Sequence, residues 1–530
     1  MPVATRVVPS VYYDSVTLMQ LAQDLQGMPG VRDVAAVMGT PANLALMRDA
    51  GLWTATAQAA TPNDLVLAVL ADDEATAQRA LSHAQALLAQ RQSARSAAVG
   101  AAAGLRPRSL RSAVAQTPGA NLAVISVAGR YAAREARQAL QLGLHVLLFS
   151  DNVSLEDEIA LKALAAERGL LCMGPDAGTA IINGVGLGFA NAVPRGPIGI
   201  VSAAGTGLQS VSSDIARRGS GVSQAIGTGG RDLSEAVGGR TMLAGLEALQ
   251  TDPDTSVIVL ISKPPAEAVT TRLLEQVRRS KKPTVVCFLG ADPGLIERAG
   301  AIPASTLEQA AAVAVALARG EDWCSAIVAC DQAPLAYRPQ ALAEQAKLHP
   351  GQRFIRGLFS GGTFCYEAQL VAAGLPDPVY SNTPIHKPTA AHQPPAEAVV
   401  HGQHVFLDLG ADEYTVGRLH PMLDPTLRNR LIVQAADDPE VAVLLLDVVL
   451  GYGAHPDPAG EAARAIVQAR ARAEAAGRYL PVVAFVCGTE EDPQRLSSQE
   501  AKLRAAGALV TASNAQATRV AALILAERFV

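Results

Sequence analysis

The chain has 530 residues, enough for three or four domains of ordinary size. Apolar residues make up 49% and aromatics only 4%, so a large aliphatic core is available, while a carbohydrate-stacking or base-stacking platform is excluded. The net charge of −5 comes without a basic block, which speaks against nucleic acid as a partner.

The opening stretch MPVATRVVPSVYYDS has no apolar run of signal-peptide length, and no window approaches a membrane span. A cytoplasmic location is expected, with no membrane partner. The six cysteines are scattered without a CxxC pair, so reduced thiols and no metal centre are expected. Cys287 and Cys487 lie in apolar strand-like runs and read as core residues.

In chain order, a strand-like TRVVPSVYYDSVTLM opens a small α/β unit over 1–95, and an Ala-, Arg- and Ser-rich linker follows. The segment LAVISVAGRYAAREARQAL starts a second region, 115–193, of Rossmann-like type. GPIGIVSAAGTGLQSVSSDIARRG, SVIVLISKPPAEAVTTRLLEQVRR and PTVVCFLGADPG build a third, flavodoxin-like region over 194–325. EDWCSAIVACDQAPLAYRP bridges to a last flavodoxin-type region, 340–530, with strand–helix units at AVLLLDVVLGYG and PVVAFVCGTEED. Within it LPDPVYSNTPIHKPTAAHQPPAEAVVHGQ reads as a long exposed loop. Continuous apolar strands alternating with Ala-rich helices predict multidomain α/β architecture with parallel sheets covered on both faces. In such sheets ligands bind beyond the carboxyl ends of the strands.

Three turns there suit an anion. SAAGTG (Ser202, Ala204, Gly205, Thr206), SGGT (Ser360, Gly361, Gly362, Thr363) and GYGA (Gly451, Gly453) each join an apolar strand to a helix. Small residues let the backbone approach a ligand, and first-turn N–H groups point outward at the positive end of the helix dipole. Such a turn is also ordinary tight-turn chemistry. Neither GxGxxG with a distant acid nor a Walker loop is present. GTGGRDLS supplies a glycine loop (Gly229, Gly230) with Arg231, and GTPANLALM a further turn with Asn43. His386, His392, His401, His404 and His420 lack metal-ligand spacing and read as surface-loop residues; the acids of EED at 490–492 read as solvated.

Residues 120–320 resemble the α chain of succinyl-CoA synthetase, on MGPDAGTAII, GPIGIVSAAGTG, GTGGRDL and TDPDTSVIVLI. Residues 354–530 resemble the carboxy-terminal domain of its β chain, on SGGT, VFLDLGA and VLLLDVVLGYG; the ATP-grasp domain has no counterpart. Joined in this order, with VMGTPANLALM, ISKPPA and SGGTFCYEA, the motifs resemble the FdrA family. That resemblance implies an acyl-CoA synthetase-like protein. It also implies an oxamate carbamoyltransferase of allantoin breakdown, working with partner proteins and interconverting oxalurate plus phosphate with oxamate plus carbamoyl phosphate. The synthetase resemblance places a CoA site near Gly174, Pro175 and Asp176, and makes the helices after SAAGTG and GYGA converge on one phosphate.

Two departures matter. Arg298, in ERAGAIPAST, stands where the synthetases carry a phosphohistidine, and Lys263, in ISKPP, stands where they carry its orienting glutamate. Arginine cannot carry a phosphoryl group. An Arg298–Lys263 cation pair is therefore expected to stabilise oxyanion charge in a carbamoyl transfer, with Arg231 as a carboxylate fork and His455 as an acid–base group. An exposed Arg298 beside Glu297 and a strand-ending Lys263 are the plainer readings. The expected function is a carbamoyltransferase subunit needing no cofactor, with CoA as an optional ligand and partner subunits or a homo-oligomer. The alternatives are an acyl-CoA synthetase whose nucleotide module lies on another chain, and a non-catalytic CoA-sensing scaffold.

Overall fold

The computed structural model describes residues 2–11, 13, 15–40, 43–44, 47–48, 50–100, 107–385, 402–415 and 419–526. The chain forms two compact units, one of residues 1–116 with 416–419, the other of 117–415 with 420–530.

In the first unit β1 (Val3–Val8), β2 (Val31–Met38) and β3 (Leu65–Ala71) form an antiparallel sheet in the order β1-β3-β2. Leu21, Leu25 and Leu81 from its helices pack with Leu67 and Val69 of β3. The long strand expected at TRVVPSVYYDSVTLM stops at Val8, and Ser15–Gln26 is helical. The expected linker starts as helix, since Glu74–Gly100 is continuous. Alanine is the best helix former, and it outweighs the serines and arginines that suggested a linker.

The second unit carries three sheets. The first is parallel: β4 (Leu122–Ile125), β5 (His145–Leu148) and β6 (Cys172–Met173). The second holds β7 (Thr179–Ile182), β8 (Val185–Gly188), β9 (Ile198–Ser202), β10 (Val222–Gly227), β11 (Val257–Ser262), β12 (Thr284–Phe288) and β13 (Ile302–Pro303), ordered β13-β12-β11-β9-β10-β7-β8. The third holds β14 (Phe354–Phe359), β15 (Val379–Ser381), β16 (His404–Asp408), β17 (Val441–Val449), β18 (Val482–Cys487) and β19 (Leu509–Thr511), ordered β15-β16-β14-β17-β18-β19, all parallel. Residues 179–188, expected at the end of the second region, form the β7–β8 hairpin. It joins the next sheet instead, pairing antiparallel with β10, so that boundary falls near residue 175 rather than 193. The bridge at 323–345 is helical.

Strands β9, β11, β12, β14, β17 and β18 are buried along their whole length, as continuous apolar runs require. One core joins the second and third sheets. Ile200 and Val259 from one, and Ile355 and Phe485 from the other, meet Leu208, Phe364, Val313 and Val520 of the helices packed with them. Among the described residues no helix is long and apolar enough to cross a membrane.

Candidate functional site

Strand β9 feeds the helix Gly205–Arg217, and β14 feeds the helix Gly362–Val371. The two helix starts meet. A methyl group at Gly207 would lie 3.2 Å from Thr363 Cγ2, and one at Gly361 would lie 2.8 Å from Thr206 Oγ1. Glycine at both places is what lets the turns close on each other. At the first turn Ala204 N–H donates to Ser202 Oγ and Ala203 N–H to the Ile261 carbonyl. Among the described residues the N–H groups of Gly205, Thr206 and Gly207 have no acceptor, as first-turn groups without a side-chain cap do. At the second turn Ser360 and Gly361 donate to the Asp447 carboxylate at 2.7 and 3.0 Å, so these two N–H groups, expected for phosphate, are already taken. Gly362 and Thr363 remain.

Behind the second turn lies a buried ion pair that the sequence did not disclose. Arg428 Nη1 donates to the Asp447 carbonyl at 2.7 Å and to Ser360 Oγ, with Asp447 Oδ1 at 3.3 Å. Burial pushes the Asp447 carboxyl up, and Arg428 opposes that. In front stands Asp408, the last residue of β16. Burial pushes it up to about 6, and Lys263 pulls the other way. Lys263, half-buried after β11, sets its ammonium 5.5 Å from the Tyr366 ring centre. The His420 ring is pushed down to about 4 by burial and stacks against Phe189. His404 begins β16, accepts the Ile355 N–H and is likewise pushed down to about 4 by burial. Neither His404 nor His420 is the surface-loop residue expected; His386, His392 and His401 lie outside the described residues.

Other expected site residues are placed elsewhere. At GYGA, Gly451 donates to Gln494, Tyr452 to the Ala190 carbonyl and His455 to the Met422 carbonyl. The helix that follows is capped by Asp457, starts with Pro458, and gives its Ala459 N–H to Gln499. The helix that meets the Gly205 helix is therefore the one at Gly362, not the one after GYGA. Those N–H groups are spent inside the protein, and Gly451 and Gly453 serve positive-φ backbone turns. His455 Nδ1 accepts the Asp457 N–H at 3.0 Å, which engages that nitrogen in a cap.

Arg298 and Lys263 do not pair. The Arg298 side chain is 67% exposed and reaches Asp292 at 3.8 Å. It shares a shallow depression with Arg278, Ser280 and Lys282, which lead into the amino end of β12, whereas Lys263 follows the carboxyl end of β11. Arg231 is engaged, with Nε 2.8 Å from Glu158 and Nη2 donating to the Val153 carbonyl. Its neighbour Asp232 holds the fully buried Lys162 at 2.7 Å. Gly229 packs on Gly174 and Pro175, while the space at Gly230 is open. Asp176 beside them is pushed up to about 6 by desolvation first, then by Asp151 and Asp412. Of the EED acids, Asp492 is buried and accepts the Ala192 N–H at 2.7 Å. Asn43 donates to the Met38 carbonyl, a turn-closing role.

Residues 358–524 match the "CoA-ligase" family, and residues 1–104 match the "AllF, heavy metal-associated domain" family. A soft metal ion favours thiolates, and 1–104 contain no cysteine, so these residues do not fit such a site. The chain belongs to the same family as the "Uncharacterized protein YahF" of Escherichia coli, with which it is 42% identical over 97% of either chain. It is also 28% identical to the "Succinate--CoA ligase [ADP-forming] subunit alpha 1" of Archaeoglobus fulgidus, over 36% of this chain and 66% of that one. A solved acetyl-coenzyme A synthetase of Ca. Korarchaeum cryptofilum superposes with a TM-score of 0.33 at 16% identity, covering 78% of this chain and 85% of that one.

Proposed function

We propose that this chain binds phosphate, or the phosphate of an acyl phosphate, between the helix starts at Gly205 and Gly362, and passes the acyl group on without a phosphohistidine. The observation that carries this is the facing pair of uncapped helix starts. Unspent N–H groups and two helix dipoles aimed at one point favour an anion. Lys263 adds a positive charge at the rim, and fixed donors of this kind stabilise charge that develops on a leaving phosphate.

The first reading of the acceptor is CoA, which the CoA-ligase match supports. The thiolate would attack the acyl carbonyl and phosphate would leave into the cradle, with a partner chain supplying nucleotide chemistry. The second reading is carbamoyl transfer, favoured by the AllF-type match and by Arg298 in place of histidine. A phosphate oxygen attacks the ureido carbonyl of oxalurate, the C–N bond to the oxamate nitrogen breaks, and that nitrogen takes a proton. The carboxylates of Asp176, Asp151 and Asp412 around the turn assigned to CoA also weigh against the phosphate-rich CoA and so favour this second reading.

Thermal unfolding with phosphate, carbamoyl phosphate and CoA, each titrated alone, tests both. A ligand at a hundred times its Kd stabilises by about 2.7 kcal/mol. Stabilisation by phosphate that Lys263→Ala abolishes supports the cradle, and none with phosphate or carbamoyl phosphate refutes it. Stabilisation by CoA selects the first acceptor; a carbamoyl phosphate effect without a CoA effect selects the second.

A further inference from the structure

Among the described residues, an acid, Asp408, lies against the second helix start. Asp408 is 6% exposed, and a methyl group at Gly362 would lie 3.1 Å from its Cγ. Its Oδ1 accepts the Gly410 N–H at 3.0 Å. Its Oδ2 has no donor among the described residues and packs against Gly362, the first residue of the helix.

The titratable groups around Asp408 include Cys365 of the Gly362 helix and Tyr414 of the helix Asp412–Thr415. Lys263, after β11, lies within electrostatic reach without forming an ion pair among the described residues. Asp447, on β17, is already held by Arg428 of the helix Thr426–Ala435. Glu413, on the same loop as Asp408, accepts from Asn382. His420 brings Nε2 to within 2.6 Å of where a Gly410 methyl would lie; its Nδ1 accepts the Met422 N–H, so Nε2 carries the proton of the neutral ring.

An ionised carboxylate and a phosphate at one helix start repel, and each raises the other's proton affinity. Resting on the phosphate-cradle reading, we propose that Asp408 is the protonated partner of the bound anion: it takes up a proton as the anion enters and donates an O–H from Oδ2 to an anion oxygen. Proton and anion then bind as one event. Burial first, then Asp447 and Glu413, already hold this carboxyl up at about 6 against Lys263, and an arriving anion pushes it higher.

Sulfate is the probe, since its charge does not change in the neutral range. Calorimetry near neutral pH, in two buffers of different ionisation enthalpy, counts protons taken up per sulfate bound. The expected result for the intact chain is about one proton, with affinity falling about tenfold per pH unit above the Asp408 value. Asp408→Asn is expected to take up none, to bind independently of pH, and at about pH 8 to bind up to about a hundredfold more tightly than the parent chain. No proton uptake by the parent chain overturns the proposal, whether or not the variant folds. Uptake that persists in Asp408→Asn places the proton on another group, such as His420, and overturns it too. Failure of the parent chain to bind both sulfate and phosphate removes the cradle itself, a different result from a cradle that binds without a proton.

Discussion

Replacing Arg428 by methionine isolates the buried pair that holds the second helix start. Both partners are almost wholly buried, at 2% and 0% exposure. Methionine keeps much of the volume and removes the guanidinium. Asp447 keeps two backbone donors, Ser360 and Gly361, but loses its countercharge. Breaking a buried pair from one side costs about 3–5 kcal/mol. The lower end is expected, because those two donors remain and because Arg428 Nε, which lacks a partner among the described residues, no longer has to be desolvated. The sign of the pH dependence follows from Asp447. Its folded carboxyl is already raised by burial, and without Arg428 it rises further. A raised folded value means the folded state prefers the protonated acid, so stability is lost as pH climbs from the unfolded value through the folded one. Arg428→Met is therefore closest to the parent chain at low pH. Adding Asp447→Asn is expected to return about 0.5–3 kcal/mol of coupling. The assay is urea unfolding followed by Trp323 emission in a Trp53→Phe background, since Trp323 lies in the second unit. A cost under about 1 kcal/mol, or the same cost at all pH values with no return from Asp447→Asn, would refute the reasoning.

Gly361→Ala sets a methyl group 2.6 Å from Phe364 Cδ2 and 2.8 Å from Thr206. Overpacking of this kind costs about 1–3 kcal/mol, and phosphate-induced stabilisation is expected to vanish with it; denaturation with and without phosphate reads both. Lys162→Met leaves the buried Asp232 carboxylate without its cation and Glu158 with Arg231 alone, and urea unfolding is expected to show a loss of about 3–5 kcal/mol. Arg298→Ala, at an exposed position, is expected to change stability by less than about 0.5 kcal/mol and to leave phosphate binding intact by calorimetry. Thiol labelling of the folded chain is expected to stop at Cys324, the exposed cysteine, and to reach all six after unfolding.

The strand–helix alternation made the parallel sheets legible, because a strand buried on both faces must be a continuous apolar run and a run such as AVLLLDVV has few other readings. The hairpin at 179–188 was misassigned for the same reason in reverse. Short strands that pair across a sheet boundary leave no local mark of the sheet they join. SAAGTG and SGGT stood out because glycine at a strand–helix turn is a backbone signal carried by the residue itself. Which helix starts face each other was not legible, since it depends on contacts such as Gly207 to Thr363, more than 150 positions apart.

The same distinction explains the charged residues. Arg298 drew attention through what a related chain carries at that position, yet its own surroundings are solvent and Asp292. Asp408, Asp447 and Arg428 drew none, because a single acid ending an apolar strand, or an arginine in an amphipathic helix, reads as ordinary polarity in sequence. In VFLDLGA the aspartate ends a parallel strand just before a glycine, at the carboxyl edge where ligands bind in open sheets. That position was a usable signal. Asp408 lies against the Gly362 helix start, so the proposed anion would meet this acid there, and a proton taken up with the anion would remove the repulsion between them.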